Sequence, residues 1–182
     1  MIFGDPNKFA ILMEHVALWD LGGGYKNGLF HFVVAGRVFP SYASVATLSG
    51  DVGCLSEDNA LITTPENGKL FNMNKLDAFS NMMNAMLPNL LDPSAEVSDD
   101  FETDYRYQAS TYNLENDACY VFCVRLMNKV RILAAKVSCL SGNDIDGYEW
   151  KNFDSIEVHE VILSKDEVHH IVSEVKEKFQ SI

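Results

Sequence analysis

The side chains of this 182-residue chain that could do covalent chemistry are few and scattered. His159 and Glu157 share a strand face two residues apart, an arrangement that could serve as a general base in a small hydrolase or isomerase. The sequence sets no nucleophile and no second histidine beside them, so a solvated or capping role carries more weight. His169 and His170 are adjacent on a helix, point about 100° apart and cannot share a ligand position. Cys54, Cys119, Cys123 and Cys139 lack the two-residue gaps of a zinc site. Cys119 and Cys123 share a strand face; a redox pair is one use of that spacing, and core packing beside Ala134 as reduced thiols is the stronger one. The run Gly22-Gly23-Gly24 lacks the Gly-Lys-Ser ending of a phosphate loop and reads as a flexible turn. The carboxylates of Glu96–Asp104 (EVSDDFETD) lack the glycine and terminal glutamate of a calcium loop. No catalytic residue, metal or cofactor is therefore expected.

What remains is charge and aromatic area. The chain carries a formal −12. Asp92–Asp117 holds eight acidic residues and one basic, Ser141–Glu160 six and one, and elsewhere the charges cancel. Acidic runs are most often simply solvated. Phe101, Tyr105, Tyr107 and Tyr112 interleave with the first run and shift weight toward a binding surface, although half-buried strand packing would suit the tyrosines equally well. So acidic a chain repels nucleic acid and favours a basic protein partner.

The length suits one domain with a substantial core, and the composition is that of an ordinary soluble protein. The start MIFGDPNKF has no charged leader ahead of an apolar core, and no apolar run approaches a membrane span, so a cytoplasmic location away from the membrane is expected.

The elements that would position these residues centre on Cys119–Cys139, the most apolar stretch. It reads as strands Cys119–Met127 and Val130–Ser138 joined at Asn128-Lys129. That turn pairs Tyr120 with Val137, Phe122 with Ala135, Val124 with Leu133 and Leu126 with Arg131 on one face. Cys119 with Ser138, Val121 with Lys136, Cys123 with Ala134 and Arg125 with Ile132 share the other. Phe9–Val16 reads as a first strand and Leu29–Phe39 as a hairpin turning at Gly36-Arg37 and stopped by Pro40. Leu21–Gly28 is turn-rich, and Ser41–Leu61 fits neither period and reads as loop with a short helix. Thr64–Gly68 is a turn, Leu70-Phe71 an edge strand, and Lys75–Leu87 a helix capped by Asn74. Asp92–Asp100 and Ser141–Asp154 read as loops, Asp104–Asn113 and Ser155–Leu163 as strands. Asp166–Gln180 is a helix opened by a Ser164/Glu167 capping box, with Val168, Ile171, Val172, Val175 and Phe179 facing the sheet. The sum is an α+β domain: an antiparallel sheet with a central hairpin over 119–139 and a C-terminal helix over 166–180 packed on it.

The opening MIFGDPNKFAI, then Trp19, then GLFHFVVAGRVFP ending at Pro40, resembles the immunity protein 42 family of bacterial polymorphic toxin and contact-dependent growth inhibition systems. The total length also agrees, and the three-glycine run before Tyr25 is a departure. The resemblance implies a protein encoded beside a toxin that binds the toxin's C-terminal domain, with no catalytic residues to carry over.

The expectation is thus a cytoplasmic antitoxin and not an enzyme, binding a basic toxin domain, a nuclease, by imitating phosphate charge. Asp99, Asp100, Glu102, Asp104, Asp144, Asp146 and Glu149 would pair with its lysines and arginines, with Tyr105 and Tyr107 as packing anchors. The alternatives are the hydrolase or isomerase built on His159 and Glu157, and an adaptor module without a toxin partner.

Overall fold

A computed structural model describes residues 1–20, 22 and 24–182. Part of the turn-rich Leu21–Gly28 stretch, with Gly23 of the glycine run, thus lies outside the described residues. Strands β1 (Ile2–Gly4), β2 (Phe9–His15), β3 (Asn27–Val34) and β4 (Arg37–Phe39) form an antiparallel sheet in that order, with β5 (Ala46–Thr47) also pairing β3. Three short helices follow, α1 (Leu48–Cys54), α2 (Ala60–Thr63) and α3 (Gly68–Asn72), then α4 (Lys75–Met86) and α5 (Pro88–Leu91). A long irregular segment leads through α6 (Tyr112–Glu115) into β6 (Cys119–Leu126) and β7 (Lys129–Lys136). β8 (Ser138–Asn143) and β9 (Gly147–Asn152) make a separate two-stranded ribbon. β10 (His159–Ser164) completes a β10-β7-β6 sheet, and α7 (Lys165–Gln180) closes the fold.

The central hairpin is buried on both faces, which is why its sequence is apolar on both. Cys119, Val121, Cys123, Val130, Ile132 and Ala134 join the first sheet and the stripe Val168, Ile171, Val172 and Val175 of α7 in one core. Tyr120, Phe122, Val124, Leu133 and Ala135 pack against Ala78, Phe79, Met82, Met83 and Met86 of α4 in a second. The expected helices are present with their caps: Asn74 accepts from Asp77 N, and Ser164 and Glu167 form the reciprocal box.

The hairpin register differs from the expected one by two residues. Leu126 pairs Lys129, Val124 pairs Arg131 and Phe122 pairs Leu133, so the turn is Met127-Asn128, with Met127 at φ 54°. A slip of two leaves every side chain on its expected face, so hydrophobic alternation cannot detect it. The consequence falls on Arg131. Instead of marking the open end, it is buried opposite Val124. Its guanidinium donates to the carbonyls of Leu70, Phe71 and Met73 at 3.2, 2.9 and 2.7 Å, and to Glu160 Oε2 at 2.6 and 2.8 Å. Those carbonyls end α3, so Leu70-Phe71 is helical and not an edge strand; Asn67 caps that helix, accepting from Lys69 N and Leu70 N.

The first hairpin turns at Ala35-Gly36, both at positive φ, one residue before the expected Gly36-Arg37. Ser141–Asp154 is not a loop but most of the β8–β9 ribbon. Asp104–Asn113 is not a regular strand. It lies along the β6 edge through Cys123 N to Tyr107 O and Ala109 N to Val121 O, and then the Ser110 hydroxyl replaces the backbone as acceptor from Val121 N.

A buried polar cluster ties the irregular segment to the first sheet. Asn113 donates from Nδ2 to Phe30 O at 2.8 Å and from its backbone N to Asp51 Oδ1 at 2.8 Å, and accepts from Ser44 Oγ at 3.0 Å. His31 is buried beside it and donates from Nδ1 to Pro40 O at 3.0 Å. Burial pushes the His31 pKa below its ordinary 6.5, against the opposing pull of that carbonyl and of Asp51. A depressed pKa means that the unfolded chain takes up the proton first. The stability that neutral His31 contributes is then full above pH 6.5 and lost as the pH falls from there through the folded-state value. The stability advantage of wild type over His31→Gln should therefore shrink between about pH 7.5 and about pH 5.5. Parallel thermal-unfolding profiles of the two proteins would refute it.

Candidate functional site

The two acidic runs fold into two structures, an irregular strap and a ribbon. The strap is Asp92–Asp117. Asp104 N donates to Ala85 O at the end of α4, and Gln108 O accepts from Ala60 N at the start of α2, so its middle is fastened across two helices. Between the strap and α2 lies a cleft of about 820 Å³, lined by Glu102, Asp104, Tyr105 and Arg106 on one side and Asp58, Thr63 and Pro65 on the other. A smaller cleft of about 220 Å³ adjoins it, sharing Asp58 and Tyr105 and adding Tyr112 and Glu115. Tyr105 and Tyr112 are exposed at its rim.

Pairing inside the fold reduces the free charge well below the sequence count. Asp104 takes Arg106 through both oxygens, Nε to Oδ1 at 2.9 Å and Nη2 to Oδ2 at 2.6 Å, and that guanidinium holds its carboxyl below the usual range. Asp117 is buried against Lys136 at 2.5 Å. Burial pushes the Glu115 pKa up, and its carboxylate accepts from the Gln108 amide. Glu160 is the partner of Arg131, and Glu149 faces Lys151 at 3.1 Å. Asp92, Glu96, Asp99, Asp100 and Glu102 remain exposed on the strap, and Asp144, Asp146, Asp154 and Glu157 on or beside the ribbon.

Of the nine expected contact residues, Glu102, Asp104 and Tyr105 meet in one cleft. Asp99 and Asp100 precede them in an exposed turn. Asp144 and Asp146 sit at the ribbon's free end, where Tyr148 donates its hydroxyl to Asp144 and Asn143 its amide to Asp146. Tyr107 stands apart: it is 8% exposed, its hydroxyl bonds Asn67 Nδ2 at 2.9 Å, and it packs in the α4 core. It holds the strap from beneath.

The ribbon and the strap meet at their roots. Asn152 Nδ2 donates to Leu90 O at 2.5 Å, just before Asp92. The ribbon tip is six residues further on, about 20 Å along a strand.

The ribbon also carries side chains that the sequence reading passed over. Leu140 pairs Trp150 and Gly142 pairs Tyr148, which puts Leu140, Tyr148 and Trp150 on one face. The alternation Tyr148-Glu149-Trp150-Lys151 behind Gly147 was the available signal.

His159 Nε2 lies 3.5 Å from Glu157 Oε1 and its ring rests on Phe39, with centroids 5.8 Å apart. Glu157 is largely in solvent, burial lowers the His159 pKa, and neither residue lines the two clefts. All four cysteines are unpaired; burial and the neighbouring Asp117 carboxylate push the Cys119 thiol up to about 12. Among the described residues no three His, Cys, Asp or Glu side chains are grouped to hold a metal ion, and no helix is long and apolar enough to cross a membrane.

The model of the Imm42 family, immunity protein 42, matches residues 1–178. The crystal structure of CdiI from Burkholderia dolosa AUO158 has a similar fold, with a TM-score of 0.72 and 25% sequence identity over 98% of this chain and 99% of that one. Among curated proteins none matches.

Proposed function

This chain belongs to the immunity protein 42 family, and from that premise we propose that it is an antitoxin: it binds and neutralises the C-terminal domain of a cognate secreted or contact-dependent toxin. The observation that carries this is the family match along 1–178, joined by a CdiI of the same fold over nearly its whole length. The protein acts in the cytoplasm and by occupation, not by catalysis. The toxin domain is basic, and a nuclease fits best, because exposed carboxylates can fill a site shaped for phosphate. Asp99, Asp100, Glu102, Asp104 and Tyr105 form one contact area and Asp144, Asp146 and Glu149 the other. Exposed pairs of this kind contribute little affinity each and act mainly on the encounter rate.

The decisive experiment co-expresses the chain with the C-terminal domain encoded by the neighbouring gene and scores growth and co-purification. Cells should survive and the two products should elute together. No protection and no complex would overturn the antitoxin reading. A second expectation concerns rates. Reversing Asp99, Asp100, Asp144 and Asp146 together should slow association by about ten-fold at low salt and flatten its salt dependence. Association kinetics equal to wild type at every ionic strength would remove the charge-mimic part and leave the assignment standing.

A further inference from the structure

The β8–β9 ribbon is amphipathic, and among the described residues no other sheet pairs with it and its apolar side chains stay exposed. Leu140, Tyr148 and Trp150 share that face and are 55, 58 and 51% exposed, while Ile145 at the tip is 93% exposed. The opposite face carries Ser141, Glu149 and Lys151, with the partly buried Cys139 at its root. The ribbon pairs with neither other sheet and is anchored at its root by Asn152 to Leu90 O and by Phe153 N to Val137 O at 3.0 Å. A two-stranded ribbon gains its stability from what its apolar face packs on. Here aromatic area is displayed instead, which is the composition of the energetic centre of an interface.

We propose that this apolar face is the anchor that holds the toxin domain, and that it fits a partner surface with an apolar cleft bordered by lysine or arginine. The inference rests on the antitoxin reading and names the surface that reading uses. Charge selects the occupant. Asp144 and Asp146 flank the apolar tip, Glu149 lies behind it, and Lys151 is the only cation on the two strands. A second copy would bring a ribbon of the same sign on a chain of net −12, so self-pairing gathers like charges, whereas a basic domain is complementary. Gly142 shapes the face. Its φ is +145°, and a Cβ there would lie 2.0 Å from Gly147 O, so only glycine lets the strands approach beneath Tyr148.

The test compares wild type, Tyr148→Ala/Trp150→Ala and Gly142→Ala in binding kinetics against the neighbouring gene's C-terminal domain, released from the co-purified complex in denaturant and refolded. The double variant should raise Kd at least about 100-fold, almost all of it in the off-rate, while the unfolding midpoint moves by less than about 2 °C. Gly142→Ala keeps both aromatic rings and should raise the off-rate about ten-fold by deforming the ribbon. A wild-type off-rate in the double variant overturns the proposal alone. A wild-type dimer that the double variant makes monomeric, with toxin binding unchanged, also overturns it in favour of self-association. Wild-type protein that neither binds that domain nor protects cells overturns the proposal and the antitoxin reading together.

Discussion

Replacing Phe122 with alanine should cost about 4 kcal/mol of folding free energy. The ring is 1% exposed in the middle of β6 and meets Phe79 of α4 edge-on, with centroids 5.2 Å apart and planes at 73°. Removing it opens a cavity between the hairpin and α4, where Met82, Met83 and Met86 can refill the space only in part. The Phe79→Ala change should cost a similar amount. The double variant should lose about 1 kcal/mol less than the sum, because the aromatic contact is lost only once. Urea unfolding followed by far-ultraviolet circular dichroism measures all three. A loss below about 1 kcal/mol for Phe122→Ala would mean that α4 is not docked on the hairpin as described. Function should follow stability here, because Ala85 O at the end of α4 receives Asp104 N and so holds the strap that forms the acidic cleft.

Arg131→Met should cost about 3 kcal/mol. Methionine keeps much of the apolar stem but leaves the carbonyls of Leu70, Phe71 and Met73 without their charged donor and releases the end of α3. Glu160→Gln should cost less than about 1 kcal/mol, because that carboxylate is partly solvated and its loss leaves the three carbonyl bonds intact. Equal costs for the two changes would show that the ion pair, not the helix end, is what Arg131 serves. Thermal and urea unfolding of both variants separates these outcomes.

The legible parts of the sequence were those governed by neighbours along the chain. α4 and α7 announce themselves by periodicity and by caps within three residues, and the hairpin faces by alternation. The Asn59 and Asn67 caps were equally local, but α2 and α3 are too short to show a period: the start of α2 falls in the stretch read as loop with a short helix, and Leu70-Phe71 of α3 reads as an edge strand. The two-residue slip was invisible because alternation has period two, so the burial of Arg131 could not be foreseen. The acidic residues Glu102 and Asp104 were readable as a group. Asp58 and Pro65, which complete their cleft, lie more than thirty residues earlier, Asp58 in the stretch that fits neither period and Pro65 in the Thr64–Gly68 turn, and nothing local links them to the strap. Charge counting could not see that Lys136 and Arg131 reach across from β7 to neutralise Asp117 and Glu160.

Both tryptophans of the chain lie at the surface, Trp19 at 36% exposed and Trp150 on the open ribbon face. The intrinsic emission of the protein therefore comes from surface indoles rather than from the core. Unfolding in denaturant should shift that emission less than it would for core tryptophans, even while the two hydrophobic cores come apart, so fluorescence melts would carry a small amplitude. The same placement makes Trp150 a built-in optical probe. A partner that dries the ribbon face should move its emission to shorter wavelength and shield it from iodide, and Trp19→Phe would leave that signal to a single indole.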